Sequence, residues 1–179
     1  MQNLLILGAG QYGMVAKEIA ESMRKYDHID FLDDNNPIAV GKLGDFENLS
    51  NVYDSAVVAI GNSDFRLKLI EELRKVGYNI PCLIHERAYV SPSAKIGMGS
   101  FIEPMVVVHT EVTIETGCII SAGVIINKCH CFAYSEGLVT ATIQSTGFAA
   151  VKADSGGKGF YFAAACWLWL LSVFSQIIA

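Results

Sequence analysis

Between Val90 and Asn127 the chain repeats itself every six residues. Val90, Ile96, Ile102, Val108, Ile114, Ile120 and Ile126 place a branched aliphatic at each step. Four places after each of the first six stand Ala94, Ser100, Val106, Val112, Cys118 and Val124, all small or medium-sized. One place after every rung comes a small or polar residue: Ser91, Gly97, Glu103, His109, Glu115, Ser121 and Asn127. An α-helix cannot hold this register, because six residues advance it by about 600° and the aliphatic rows drift around the barrel. One strand would keep the rungs on a single face but would have to run for about forty residues, far beyond ordinary strand lengths. A coil that turns a corner every six residues meets both demands. Three sides close one turn, the rungs stack inside, and each turn hydrogen-bonds to the next, which predicts a parallel β-helix built from hexapeptides.

The 179 residues allow one large or two small domains. At 52% hydrophobic and 17% charged, the chain easily supplies a core. A net charge of -5 excludes nucleic acid as the expected partner, since that demands basic patches. An anionic small molecule would need a local cradle instead, such as a helix N-terminus. Five cysteines, odd in number and scattered, read as the reduced thiols of a cytoplasmic protein. Met1-Gln2-Asn3 carries no basic residue and the apolar run after it is short, so no signal peptide is expected.

Upstream of the ladder, Leu4-Leu5-Ile6-Leu7 reads as a buried parallel strand. It runs into Gly8-Ala9-Gly10-Gln11-Tyr12-Gly13, a GxGxxG turn, and Val15, Ala16, Ile19, Ala20 and Met23 follow at helical spacing. Such glycines let backbone N–H groups at a helix N-terminus press against a phosphate. Ile29 to Leu32 is a second strand ending in Asp33-Asp34, and Asp33 stands where a ribose-binding acid would. A third strand over Ala56 to Ile60 and a helix from Asp64 to Val76, with Phe65, Leu69, Ile70 and Leu73 inward, lead to a fourth strand at Cys82-Leu83-Ile84. That is one mononucleotide half. A dinucleotide needs two, so a nucleotide-sugar suits the half-site better than NAD. The alternative, that the glycines only make a tight strand–helix turn, stays open. Pro81 and residues 84–88 join this unit to the ladder, and His85 at the junction is either a ligand contact or a satisfied buried histidine.

Phe31-Leu32-Asp33-Asp34, Ala59-Ile60-Gly61-Asn62 with Arg66 after it, Leu83-Ile84-His85 and Val90-Ser91-Pro92-Ser93-Ala94 follow one another as landmarks. With the ladder they resemble the sialic acid O-acetyltransferase and UDP-amino-sugar N-acetyltransferase family, the NeuD/PglD type, over about residues 2–127. The resemblance implies an α/β plus β-helix fold: a small Rossmann-like domain over 1–85, a left-handed parallel β-helix over 86–131, truncated here, and an atypical tail over 132–179. It implies acetyl-CoA as acyl donor, a nucleotide-linked amino-sugar or a sialic acid as acceptor, no metal, and a homotrimer with acetyl-CoA between neighbouring coils. It places Gly8, Gly10, Gly13, Asp33, Asp34, Gly61 and Asn62 around the nucleotide-sugar, with Arg66 on a phosphate or paired with Glu71.

Acetyl transfer from a thioester needs a base to take the acceptor's proton and a donor for the oxyanion. The family carries a histidine two residues past a rung. Counted from Ile126, that place holds Lys128, which would have to lose its proton by desolvation to serve as a base. His130, two residues late, is the remaining candidate catalytic residue, displaced by about 6–7 Å at the rise of a strand. Turnover near background is therefore the expectation, and a non-catalytic nucleotide-sugar-binding protein is the alternative. His109, in an outward column, reads as surface. Cys129-His130-Cys131 alone cannot supply a tetrahedral zinc site.

Past Asn127 the pattern dissolves. Phe132 and Leu138 keep the count, but the companion column holds His130 and Glu136, which bury badly. Residues 160–179 carry no charge and are long enough to cross a bilayer, with Lys152 and Lys158 ahead of them and Trp167 and Trp169 mid-run. A membrane anchor, a buried apolar helix and an out-of-frame sequence are the three alternatives for this tail.

Overall fold

A computed structural model describes residues 2–127 and the backbone of Cys131 and Phe132. The chain opens with a parallel sheet of β1 (Gln2–Leu7), β2 (Tyr26–Leu32) and β3 (Ser55–Val58), in the order β2-β1-β3. Its central strand is the continuous apolar run of the sequence, and Leu4 to Leu7 are all fully buried. The two-residue period of the strand divides them between two layers. Leu5 and Leu7 face Phe46 of α2 (Phe46–Leu49) and Leu69, Ile70 and Leu73 of α3 (Ser63–Val76). Leu4 and Ile6 face Ala16, Ile19 and Ala20 of α1 (Gln11–Met23). Phe65 departs from the expected inward stripe. It lies in the first turn of α3 and is 40% exposed, outside the stretch of helix that the sheet covers.

The fourth strand of the sequence reading belongs elsewhere. Leu83–Ile84 (β4) pairs with Phe101–Ile102 and not with the sheet, whose next partner is a single bridge from Ser55 to Asn79. It is the first rung of the β-helix, so the coil begins earlier than residue 86. Eight more two-residue strands follow at six-residue steps: β5 (Tyr89–Val90), β6 (Lys95–Ile96), β7 (Phe101–Ile102), β8 (Val107–Val108), β9 (Thr113–Ile114), β10 (Ile119–Ile120), β11 (Ile125–Ile126) and β12 (Cys131–Phe132). They stack as three parallel sheets, β10-β7-β4, β11-β8-β5 and β12-β9-β6. Each side therefore pairs with the side three steps on, as Val90 does with Val108 and Val108 with Ile126. β12 stacks on β9, so nine two-residue strands are described, three on each side of the coil, where the sequence reading counted seven rungs.

The rung column and its companion form the interior: Ile102, Val106, Val108, Val112, Ile114, Ile120, Val124 and Ile126 are all buried together. The outward columns differ from side to side. Leu83 and Phe101 are buried against the α1 layer of the sheet, with Ile119 packed beside them. Tyr89, Val107 and Ile125 form a second apolar column, and Lys95 and Thr113 a polar third. The coil is thus docked on the α/β unit by one face, with no intervening linker. At one corner Gly99 and Gly117 adopt left-handed backbone at φ of 66° and 70°. There the turns lie against α3 so closely that a Cβ on Gly117 would come within 3.0 Å of Ile70 Cδ1 and 3.1 Å of Leu67 Cδ2.

Among the described residues no helix is long and apolar enough to cross a membrane. Lys128, Cys129, His130 and the tail with its three alternatives lie outside the described residues.

Candidate functional site

The ends of β1, β2 and β3 deliver three loops to one edge of the sheet, residues 8–10, 33–36 and 59–62. This is the carboxyl edge, the usual ligand side of an open parallel sheet. The glycines there have different duties. Gly13 is packed so tightly that a Cβ would fall 2.1 Å from the Gly8 carbonyl oxygen. Gly8 combines a φ of +103° with a Cβ position 2.9 Å from the Ala59 carbonyl oxygen. Gly10 is exposed, and nothing lies within 4 Å of its Cβ position. It is also the N-cap of α1, and neither a side-chain cap nor an acidic residue occupies the first turn. The N-terminal N–H groups of α1 thus point at the open edge uncapped, as an anion cradle requires.

Asp33 organises these loops. Its carboxylate accepts from the N–H of Ala9 at 2.8 Å, of Asn35 at 2.9 Å and of Asn36 at 3.0 Å. The Ala9 bond above all, then that of Asn35, holds its pKa below the ordinary carboxylate value against an opposing contribution from burial. Asn36, which the sequence did not single out, donates from Nδ2 to the Ala9 carbonyl at 2.7 Å. Asp33 and Asn36 together fix the glycine loop to the end of β2. The sequence signal was local: Asp33-Asp34-Asn35-Asn36 is a run of residues whose side chains turn back on neighbouring N–H groups. Asp34 is exposed and accepts from Leu43 N–H at 3.1 Å. Asn62 caps α3 by accepting from Phe65 N–H at 2.9 Å. The Tyr12 ring lies over Gly61, 3.4 Å from where a Cβ would be.

Arg66 stands otherwise than expected. It is buried, at 9% exposure. Its Nε donates to the Gly117 carbonyl at 2.8 Å, and Nη1 donates to the carbonyls of Ile60 at 2.7 Å and Gly61 at 3.2 Å. Glu71 is taken by Arg74 at 3.0 Å, so the helix pairing with Arg66 is not made. The Glu71 pair gives way to a contact between domains through Nε and Nη1. Charge-assisted bonds of this kind contribute about 1.5–3 kcal/mol each, which offsets the cost of burying a cation.

His85 is half-buried at the junction, and its Nδ1 accepts from the Arg87 N–H at 3.0 Å. His109 is exposed, as its column implied. Burial pushes the thiols of Cys82 and Cys118 up in pKa, keeping them protonated and unreactive at neutral pH. Among the described residues no group of three or more His, Cys, Asp or Glu is placed to hold a metal ion. The α/β unit thus brings Gly8, Gly10, Gly13, Asp33, Asp34, Gly61 and Asn62 to one edge, while Lys128 and His130 lie outside the described residues.

Residues 3–73 match the PglD N-terminal domain family. The acetyltransferase domain of PglB from Neisseria gonorrhoeae is similar at 33% identity and a TM-score of 0.67, covering 70% of this chain and 65% of that one. The same domain in complex with acetyl coenzyme A superposes at a TM-score of 0.65, over 70% of this chain and 64% of that one. PerB from Caulobacter crescentus, in complex with CoA and GDP-perosamine, is 25% identical at a TM-score of 0.62, over 70% of this chain and 62% of that one. The chain therefore spans slightly less than two thirds of the length of each of these proteins.

Proposed function

We propose that this chain, which over its described part belongs to the NeuD/PglD-type acetyltransferase family, is an acetyl-CoA-dependent acetyltransferase acting on a nucleotide-linked amino-sugar. The observation that carries the proposal is the exposed, uncapped N-terminus of α1 beside Gly10, at the carboxyl edge of a sheet docked on hexapeptide coils. The N–H groups of that helix receive a diphosphate, and the loop that Asp33 and Asn36 hold in place sets their direction. The likeness to PglB solved with acetyl coenzyme A and to PerB solved with CoA and GDP-perosamine supports the same pair of substrates here. Acetyl-CoA, when bound, supplies the acetyl group as a thioester. Of this chain's residues, Lys128 or His130 is left to take the acceptor's proton.

Lysine at the place of the family's histidine favours a second reading, a nucleotide-sugar-binding protein without turnover. Thiol release from acetyl-CoA, measured with a panel of UDP- and GDP-amino-sugars and sialic acid, separates the two. Slow release that rises through pH 6–7 and disappears in His130→Ala assigns His130 as the base. Strong release that survives His130→Ala contradicts that assignment, and no release with any acceptor supports the second reading.

For assembly we infer a homotrimer formed through the column Tyr89, Val107 and Ile125, the apolar one of the two coil faces that the α/β unit leaves uncovered. Light scattering at micromolar concentration tests it. The native chain should give a trimer that Tyr89→Lys weakens, and a monomer in the native chain contradicts it.

A further inference from the structure

Arg66 sits in the first turn of α3, the positive end of the helix dipole, where a buried cation is least welcome. It is retained there with Nε on the Gly117 carbonyl and Nη1 on the carbonyls of Ile60 and Gly61. The two sets of acceptors belong to different domains. Ile60 and Gly61 close β3 at the edge where the glycine loop lies, and Gly61 carries the Tyr12 ring against it. Gly117 is the left-handed corner residue leading into β10, the side of the coil before β11.

That corner is itself held rigidly. The Gly117 N–H donates to the Met98 carbonyl at 2.9 Å, Ser100 Oγ donates to the Glu115 carbonyl at 2.9 Å, and the Cys118 N–H donates to Ser100 Oγ at 3.1 Å. A Cβ on Gly97 would fall 2.3 Å from the Thr116 nitrogen, so successive corners are stacked in contact. Apolar packing of Ile70 and Leu67 also meets this corner, but the hydrogen-bonded path from Gly61 to Gly117 runs through the planar guanidinium of Arg66. Lysine cannot reproduce this, since a single ammonium has no fixed fork to span three carbonyls.

We propose that Arg66 is a positioning residue that couples the nucleotide-sugar edge to the coil corner at residues 115–118, so that occupation of one is felt at the other. This rests on the function proposed above for the edge, and its test has one arm that needs no ligand. In the ligand-free arm, amide exchange at residues 61–63 is followed in a double-mutant cycle of Arg66→Met and Ser100→Ala. Loosening the corner with Ser100→Ala, which removes its bonds to the Glu115 carbonyl and the Cys118 N–H, should speed exchange at 61–63 in the native background by about tenfold, within the usual range of site coupling, and add little in Arg66→Met. Effects that add independently overturn the proposal.

In the liganded arm, a UDP-amino-sugar should slow exchange at residues 115–118 of the native chain. It should bind Arg66→Met and Arg66→Lys about tenfold more weakly and without that protection. Leu67→Ala, which strips packing from the same interface but leaves the guanidinium bonds, should melt earlier and keep the protection. Protection that persists in Arg66→Met, or is lost equally in Leu67→Ala, overturns the coupling. Absence of UDP-amino-sugar binding by the native chain contradicts the proposed function and leaves the ligand-free cycle to decide the role of Arg66.

Discussion

Replacing Gly10 and Gly13 by alanine, one at a time, should divide what the glycine loop does for the fold from what it does for a ligand. At Gly13 the new methyl would fall 2.1 Å from the Gly8 carbonyl oxygen, 3.0 Å from its carbon and 3.4 Å from Phe31 Cε1. All three neighbours are held: Gly8 N–H is bonded to the Leu32 carbonyl at 2.8 Å, and Phe31 is in the core. The loop must open by roughly 1 Å, and overpacking on that scale costs about 2–3 kcal/mol. For a chain of this size the melting temperature should fall by about 5–10 °C. At Gly10 the φ is -78°, which any residue adopts, and nothing stands within 4 Å. The only expense is a poorer N-cap, about 0.5 kcal/mol, or about 1–2 °C. Yet the Gly10 methyl occupies the space through which a diphosphate would approach the α1 N–H groups, so affinity should fall at least about tenfold, or ~1.4 kcal/mol. Calorimetric melting and titration with a UDP-amino-sugar measure both quantities on the same samples. Gly13→Ala melting no lower than Gly10→Ala would refute the packing account. Gly10→Ala with native affinity would refute the cradle and leave the glycines as a turn and nothing more.

Asp33 has a lowered pKa in the folded chain, so the stability it contributes is present above the ordinary carboxylate range and disappears as pH falls through that lowered value. Asp33→Asn should accordingly melt below the native chain at pH 7, and the gap should close below about pH 4; a gap independent of pH would show that the charge is idle. Tyr53 donates to Asp30 Oδ2 at 2.8 Å, and burial first, then that bond, pushes its pKa up to about 12. Its contribution is therefore present below the ordinary value of 10.0 and lost as pH rises toward 12, so Tyr53→Phe should cost about 1 kcal/mol at pH 7 and remove a step near pH 12 from an alkaline absorbance titration. An unchanged titration in Tyr53→Phe would contradict the assignment.

The β-helix was legible because a six-residue period encodes a closed shape, and the interior column needed only side-chain size to be recognised. One rung escaped although its signal was present. Ile84 stands six residues before Val90, and Ala88 stands four after Ile84, so both columns extend back to β4. Read beside the α/β unit, Cys82-Leu83-Ile84 passed for a last sheet strand, because a short apolar run fits either partner. The three sheet strands and the glycine loop followed from apolar runs and turn chemistry, which are local, whereas the sheet order β2-β1-β3 came only with the structure. Phe65 was misplaced because helical periodicity does not say where along α3 the sheet stops covering it. Arg66 was illegible for a stronger reason. Its acceptor on Gly117 lies fifty-one positions away, and one basic residue on an amphipathic helix looks the same whether it meets solvent, a phosphate or another domain.

The central claim is that the α/β unit receives a nucleotide-sugar, and titration calorimetry of the native chain with a UDP-amino-sugar and with NAD tests it most directly. Saturable one-to-one binding of the UDP-amino-sugar, with NAD weaker or absent, is the result expected from a single mononucleotide half with an uncapped α1. NAD binding more tightly than any UDP- or GDP-linked amino-sugar would contradict it.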